Sequence, residues 1–552
     1  MSDGNAQVRG LSLRRPDLWS VGAAVIAALV LVPILAVGWL AVNPTENIWP
    51  HLMATVLPRY LTTTLILMAG TGALAAVVGT GTAWLVAMHD FPGRRVLAWA
   101  LLMPLAIPAY VGAYALVDFL DYAGPVQTAL RAAFGWRSAA DYAFPDIRSL
   151  PAAILVIGLS LYPYVYLLAR AAFSEQSGAG FEVARALGAG PWARFARVGL
   201  PLARPAIAAG TAVVMMEAVN DFGVVDFFGV QTLTTGIFSV WLSGGNAGGA
   251  AQIACVILLL VAALIALERA SRRRRRFWQA PRAQRPVTRT RLRGRTAVAA
   301  AAACAAPVLL GFVFPVSVMG WHAVVAADGW LAPGLAAAVW NTVAVAGVAA
   351  LVTVGLALFM VYGVRMTGRT LPRLLLPVTT VGYAAPGAVL GLGVLIPLAA
   401  LDNRVADGIL ALTGRDPGLL LTGSMAALVY AYTVRFFAIG QGAADAALGR
   451  IPPALPMAAR SLGRGPLGTL RAVHLPLMRG SVAMALLLVF VDAVKELPAT
   501  LLLRPFGFDT LATRVHDQAS LERLAQAAPA ALVITAVGLV AVLLLARADA
   551  AR

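Results

Sequence analysis

Long apolar stretches alternate with short polar connections along almost the whole of this 552-residue chain. A helix that crosses the hydrocarbon of a bilayer needs about 20 apolar residues. Twelve stretches reach that length, at roughly 21–42, 60–88, 97–120, 150–170, 203–222, 250–268, 298–322, 335–363, 371–400, 419–440, 478–498 and 528–547. Many contain Gly and Pro, which membrane helices tolerate because neighbouring groups re-satisfy the freed backbone. The pattern predicts an all-α membrane protein with about 12 transmembrane helices. Composition agrees, with 60% hydrophobic and 12% charged residues, against about 25% charged in a soluble domain. The first stretch follows Arg9, Arg14 and Arg15, lacks a clear small-residue cleavage site and exceeds signal-peptide length. It therefore reads as a retained helix.

The polar connections carry a repeat. Glu182–Pro201, EVARALGAGPWARFARVGLP, returns 275 residues later as MAARSLGRGPLGTLRAVHLP, Met457–Pro476. Between 182 and 204, eleven of 23 positions are identical at that offset, among them Ala184/Ala459, Arg185/Arg460, Gly188/Gly463 and Pro201/Pro476. Apolar spans resemble one another by composition; polar loops do not, so the match marks a duplicated unit. Pro104 and Pro108 of the third stretch correspond to Gly382 and Pro386 of the ninth at an offset of 278, a three-residue slip. Two homologous six-helix halves are predicted, 1–268 and 297–552, joined by a basic linker at 269–296. In the loop itself, Glu182 is expected to open a short helix, where an acid suits the positive end of the dipole. Gly188 supplies the left-handed turn that closes it, and Pro191 starts the next helix.

The spacing E-x-A, three residues, Gly, nine residues, a β-branched residue, x, Leu-Pro resembles the cytoplasmic "EAA" loop of ABC-importer permeases. The resemblance implies a type I ABC-importer permease-like fold. It also implies that each loop docks on a separate ATPase through Glu182, Ala184, Arg185, Gly188 and Pro201 and through Ala459, Arg460, Gly463 and Pro476. The second copy has Met457 in place of Glu182 and so lacks that charge.

Arginine bias sets the orientation. With the N-terminus inside, the inside segments hold 33 of the 43 Lys and Arg residues, and both repeated loops fall inside. Both termini are then cytoplasmic. The formal net charge of +18 and the run Arg272–Arg276 suggest nucleic acid in a soluble chain. Here the basic residues sit in short loops, so the partner is anionic lipid headgroups and not nucleic acid. The outside loops 121–149 and 401–418 have the mixed charge, Pro and Gly of short surface helices. Cys255 and Cys304 lie in or beside apolar stretches, and the five histidines lack ligand spacing. No disulfide, metal cluster or permanently bound metal is expected.

A P-loop needs Gly-Lys-Ser/Thr, and the one lysine, Lys495, stands in Val-Lys-Glu-Leu. The chain reads as a transport subunit and not an enzyme, with no cofactor of its own; ATP and Mg would belong to a partner ATPase. Glu217 and Asp221 end the fifth stretch, and Asp492 and Glu496 recur at the offset of 275. Each pair, spaced i, i+4, is expected on one helix face. Acids at membrane depth usually face a cavity or a partner. Two readings stand: a carboxylate-lined passage for a cation between the halves, or structural pairing of Glu496 or Asp492 with Lys495 or Arg504. Asp226 and Asp509 read as solvated or loop-capping.

The stretches KELPATLLLRPFGFDTLATRV (Lys495–Val515) and DFGVVDFFGVQTLTTGIFSVW (Asp221–Trp241) look like the ferric-iron permeases, whose two halves are fused in one chain. The resemblance covers nearly the whole sequence. It implies the inner-membrane subunit of a binding-protein-dependent importer of ferric iron. The implied partners are two copies of a cytoplasmic ABC ATPase and a periplasmic substrate-binding protein. Relatives that carry thiamine, phosphonates or polyamines share the KELPATLLLRP stretch loosely. A secondary transporter with parallel repeats is the alternative from another class, and the loop motif disfavours it.

Overall fold

The computed structural model describes residues 18–176, 178–273, 289–367, 370–452 and 454–550. Most of the linker, including part of the run Arg272–Arg276, lies outside the described residues.

Among the described residues, ten helices are long and apolar enough to cross a membrane. The third sequence stretch is a bent pair instead of a straight span: Arg94–Ala106 and Ala109–Phe134 meet at 90°. The cause is local. Pro108 forces Ile107 into an extended conformation (φ −100°, ψ 131°), because the proline ring clashes with a helical predecessor. The ninth stretch is corrected in the same way. Short helical turns over Thr370–Leu375, Val378–Thr380 and Val381–Ala384 stop at extended Ala385, before Pro386. The span proper is Gly387–Thr413. It absorbs most of the expected outer loop 401–418, whereas the outer loop of the first half carries the separate helix Pro125–Phe134. The tenth stretch forms Met425–Gly449, which is long enough to span but carries Arg435 midway. Counted with the bent pair it brings the total to twelve.

The halves interlock. Leu18–Val42, the first helix, packs on Leu335–Thr367 and Gly387–Thr413 of the second half. There Tyr430 donates its hydroxyl to the Leu29 carbonyl at 2.7 Å. Its counterpart Phe314–Val325 packs on Ala109–Leu120 of the first half, where His322 Nε2 lies 2.8 Å from Asp118 Oδ2. One continuous apolar core runs through both halves. The end of the linker adds to the first half: Thr290–Arg291 pairs in parallel with His89–Asp90, and Leu292 N donates to the Asp90 carbonyl at 2.9 Å.

The duplication extends to buried hydrogen bonds. Thr64 Oγ1 accepts from Leu233 N at 3.0 Å, and Thr342 Oγ1 accepts from Leu511 N at 2.7 Å. These threonines fix the starts of two short helices, Leu233–Phe238 and Leu511–Ser520, each opened by a capping box of two threonines that satisfies the orphan N-terminal amides.

Candidate translocation cavity and coupling loops

The first repeated loop is a helix, a turn and a second helix. Gly178–Ala186 ends at Gly188, which has φ 79°. Ala189 N donates to the Ala184 carbonyl at 2.9 Å and Gly188 N to the Arg185 carbonyl at 3.0 Å, the two bonds of a Schellman closure. The second copy repeats it. Gly463 has φ 79°, Arg464 N reaches the Ala459 carbonyl at 3.1 Å and Gly463 N the Arg460 carbonyl at 2.9 Å. The shared Ala-Arg dipeptide thus supplies the carbonyls that end each helix. Pro191 and Pro466 start the following turns, as expected.

Glu182 does not open its helix. The helix begins four residues earlier at Gly178, because Phe181 buries against Trp84, with ring centroids 5.9 Å apart. Glu182 is exposed mid-helix, where the dipole argument has no force. Pro201 and Pro476 each follow one turn of wider, π-type helix, Phe195–Gly199 and Leu470–His474. Proline has no N–H and its ring collides with the carbonyl four residues back, and the widened turn accommodates both before the spans Leu200–Asn220 and Leu475–Val494. Both knobs expose large apolar side chains: Leu187 is 82% exposed and its equivalent Leu462 81%. Beneath the first loop, burial and then the Arg194 charge hold His89 below its ordinary pKa. Six spans separate the two loops, so they emerge on the same side of the membrane.

All four acids line one cavity of about 170 Å³ between the halves. Ile107 and Pro108 of the bend line it as well. Tyr164 lies within electrostatic reach of Asp492 and Glu217, and Tyr110 of Glu496 and Asp221. Each tyrosine thus lies within reach of one acid from each half, and those two acids are equivalents at the offset of 275.

The expected helix-face geometry is corrected. The helices end at Asn220 and Val494, so Asp221 and Glu496 stand in chain breaks just beyond them. Each caps the short helix that follows, since a side-chain oxygen there satisfies an orphan amide. Asp221 Oδ1 accepts from Val224 N at 3.0 Å and Val225 N at 3.3 Å. Glu496 Oε1 accepts from Ala499 N at 3.1 Å, while Oε2 faces Arg435 Nε at 3.2 Å. Lys495 Nζ lies 3.3 Å from Asp492 Oδ1 and donates to the Leu105 carbonyl at 3.3 Å.

The proposed structural partners are thus half right. Lys495 pairs with Asp492, but Arg504 pairs with Asp509 at 2.7 Å and Asp517 at 3.0 Å. Asp509 is consequently ion-paired and not simply solvated, and Asp226 Oδ2 faces His516 Nε2 at 3.8 Å across the halves. Sequence reading missed Arg435, counted there with the inside loops. Its signal was a lone arginine inside an apolar stretch. Among the described residues no three His, Cys, Asp or Glu side chains converge in a metal-holding cluster; the four carboxylates are spread around the cavity.

Residues 75–277 match the family model of the binding-protein-dependent transport system inner membrane component. The chain is 24% identical over 528 residues to the Fe(3+)-transport system permease protein FbpB 2 of Haemophilus influenzae, covering 94% of this chain and 96% of that one. It is 29% identical over 177 residues to the molybdenum transport system permease protein ModB of Escherichia coli, 31% of this chain and 74% of that protein. With the sulfate transport system permease protein CysW of Escherichia coli it shares 29% identity over 222 residues, 38% of this chain and 72% of the other. With the duplicated loops and the multi-span helical fold, this likeness to a transport permease, which runs through both halves, makes the chain similar to the permease subunits of binding-protein-dependent importers.

Proposed function

We propose that this permease carries ferric iron through the cavity between its halves, 1–268 and 297–552. The observation that carries the reading is that Glu217, Asp221, Asp492 and Glu496, equivalent in twos at one offset, all line one cavity. Iron(III) is a hard cation that prefers oxygen ligands. A passage must attract the ion yet release it, which carboxylates spread around a cavity do better than a closed cage. The near full-length similarity to an iron permease supports the same cargo.

In this reading the Gly188 and Gly463 knobs, with Glu182, Ala184, Arg185, Pro201, Ala459, Arg460 and Pro476, seat two cytoplasmic ATPase subunits, which hold the ATP and Mg. Their exposed Leu187 and Leu462 have the character of a docking surface. A periplasmic binding protein delivers cargo to the opposite side, and both termini are cytoplasmic. An oxyanion cargo is the second reading. Arg435 and Lys495 in the same cavity favour it, as do the similarities to molybdenum and sulfate permeases.

The test is reconstitution in liposomes with the ATPase and binding protein, measuring labelled uptake and ATP hydrolysis. Iron should stimulate both, and the Glu217→Gln, Asp221→Asn, Asp492→Asn, Glu496→Gln variant should lose uptake at equal permease content. Stimulation by molybdate or sulfate in place of iron would establish the oxyanion reading instead.

A further inference from the structure

The two walls of the cavity are the same structure with different chemistry. Helices Leu150–Ser174 and Met425–Gly449 correspond residue for residue at the offset of 275, and Leu200–Asn220 and Leu475–Val494 do so to within one residue at their ends. The acids repeat at that offset. The cations do not: Arg435 stands where the first half has Ser160, and Lys495, the chain's only lysine, stands where it has Asn220. All four positions line the cavity. The second-half acids are therefore each held by a cation of their own half, Asp492 by Lys495 and Glu496 by Arg435. Asp221 on the first-half wall receives backbone N–H donors, from Val224 and Val225, and among the described residues no cation pairs with it.

Two polar atoms on the first-half side of the cavity lack a hydrogen-bond partner among the described residues. Asn220 is 7% exposed and Tyr110 5% exposed, and neither Asn220 Oδ1 nor Tyr110 Oη has a hydrogen-bond partner among the described residues. Burying such a group unpaired is costly. Both line the same cavity as Asp221, and Tyr110 is within electrostatic reach of that carboxylate. A carboxylate, an amide oxygen and a phenolic oxygen make an oxygen-only donor set of the type that hard cations take.

We propose that the cavity holds one asymmetric cation-binding site on its first-half wall, formed by Asp221, Asn220 Oδ1 and Tyr110 Oη, opposite a second-half wall already filled by the tethered cations Lys495 and Arg435. This rests on the hard-cation reading of the cargo. Lys495 acts there as a built-in counter-ion: it keeps Asp492 from becoming a second ligand and limits how tightly the cargo is held. Neutral amide and phenol oxygens add affinity without adding charge, which suits an ion that must leave.

The probe is terbium(III), a hard trivalent ion, titrated by luminescence into the full-length permease in lipid nanodiscs. Asp221→Asn and Asn220→Lys should each weaken binding roughly tenfold or more, and Asn220→Ala, which removes the oxygen without adding charge, by about threefold. Lys495→Asn should tighten binding by about threefold or more and slow iron turnover in the assembled importer. Monodisperse elution of each variant checks folding, and Asn220→Ala carries the test if the buried lysine variant does not fold. Terbium affinity unchanged in Asn220→Ala and Asp221→Asn overturns the proposal. So does an equal loss in Asp221→Asn and Asp492→Asn; with iron uptake intact in the wild type, that result leaves the iron reading standing. A wild-type permease that ignores terbium and imports an oxyanion overturns both.

Discussion

Trp84 sits on Gly199 so closely that a β-carbon at residue 199 would lie 2.5 Å from the indole ring. The same indole meets Phe173 at 5.2 Å and Phe195 at 5.0 Å between ring centroids. With Phe181, these contacts pin both ends of the first knob to the span Leu57–Met88. The second half divides the volume differently. Tyr362 lies 5.2 Å from His474, the equivalent of Gly199, and donates its hydroxyl to the Pro466 carbonyl at 2.6 Å. Gly199→Val should therefore overpack the seat, at roughly 1–3 kcal/mol, and tilt the knob. Membrane insertion should persist while cargo-stimulated ATP hydrolysis falls. Transplanting the second-half pair, Trp84→Tyr with Gly199→His, should restore coupling; no restoration would assign the defect to something other than the seat.

The turns at Gly188 and Gly463 make a separate prediction. Nothing lies within 4 Å of a β-carbon added at either residue, so their constraint is the φ of 79° and not crowding. A β-branched residue there is penalised by roughly 1–2 kcal/mol. Gly188→Val with Gly463→Val should leave the permease in the membrane but weaken ATPase copurification and abolish uptake. Gly188→Asn, which tolerates a left-handed turn better, should retain most activity. Normal transport in the double valine variant would remove the knobs from coupling.

Acid should loosen the first knob's seat. His89 ends the span beneath the loop, and its pKa is lowered by burial and then by Arg194. Its ordinary pKa is about 6.5. The folded state thus prefers the neutral ring, and this contribution is fully present above the ordinary pKa. It declines as pH falls below that value and on through the lower folded pKa. Amide exchange of residues 178–199 should accelerate as pH drops from 7 to 5, after correction for intrinsic exchange. His89→Gln, which cannot take up the proton, should flatten the dependence. An identical pH profile in that variant would place the sensitivity elsewhere.

What was legible in the sequence follows from length scale. Apolar stretches about 20 residues long report spans, and the fixed offset of the polar loops reports duplication, so Gly188, Gly463 and the four acids could be placed before any coordinates. The breaks were not legible. Pro108 and Pro386 stand inside stretches that are apolar throughout, and composition does not say whether a proline kinks a helix or stops it. The interlocking of the first helices was also hidden, because contacts such as Tyr430 to Leu29 join residues 401 positions apart. Arg435 was misplaced because a basic residue near a span end counts toward orientation until its partner, Glu496, is seen.

Orientation is checked independently of transport. The repeated loops emerge on one side, six spans apart, and the arginine bias predicts that this side is cytoplasmic. Reporter fusions near Gly190 and after Arg552 should both report cytoplasm, and one near Arg131 should report periplasm. A periplasmic signal at Gly190 would invert the topology and remove the knobs from reach of any cytoplasmic ATPase.

Arg435 and Glu496 allow structure and transport to be separated. Their side chains are 11% and 4% exposed, with 3.2 Å between Nε and Oε2. Removing one partner from a buried pair leaves an uncompensated charge, at about 3–5 kcal/mol, whereas replacing both with apolar groups of similar volume is often neutral. Arg435→Leu and Glu496→Leu alone should each lower the yield of folded permease sharply. The double variant should recover most of it, because neither member of the pair is then left as an uncompensated buried charge, at the expense of the cap on Ala499 N. If the pair were a scaffold and nothing more, the recovered protein would also carry cargo at the wild-type rate. A carboxylate lost from the cavity predicts otherwise: normal yield and ATPase association, with slower cation uptake. A double variant as poorly folded as either single one would show that the two side chains do not stabilise each other, and the ion pair would lose its structural role.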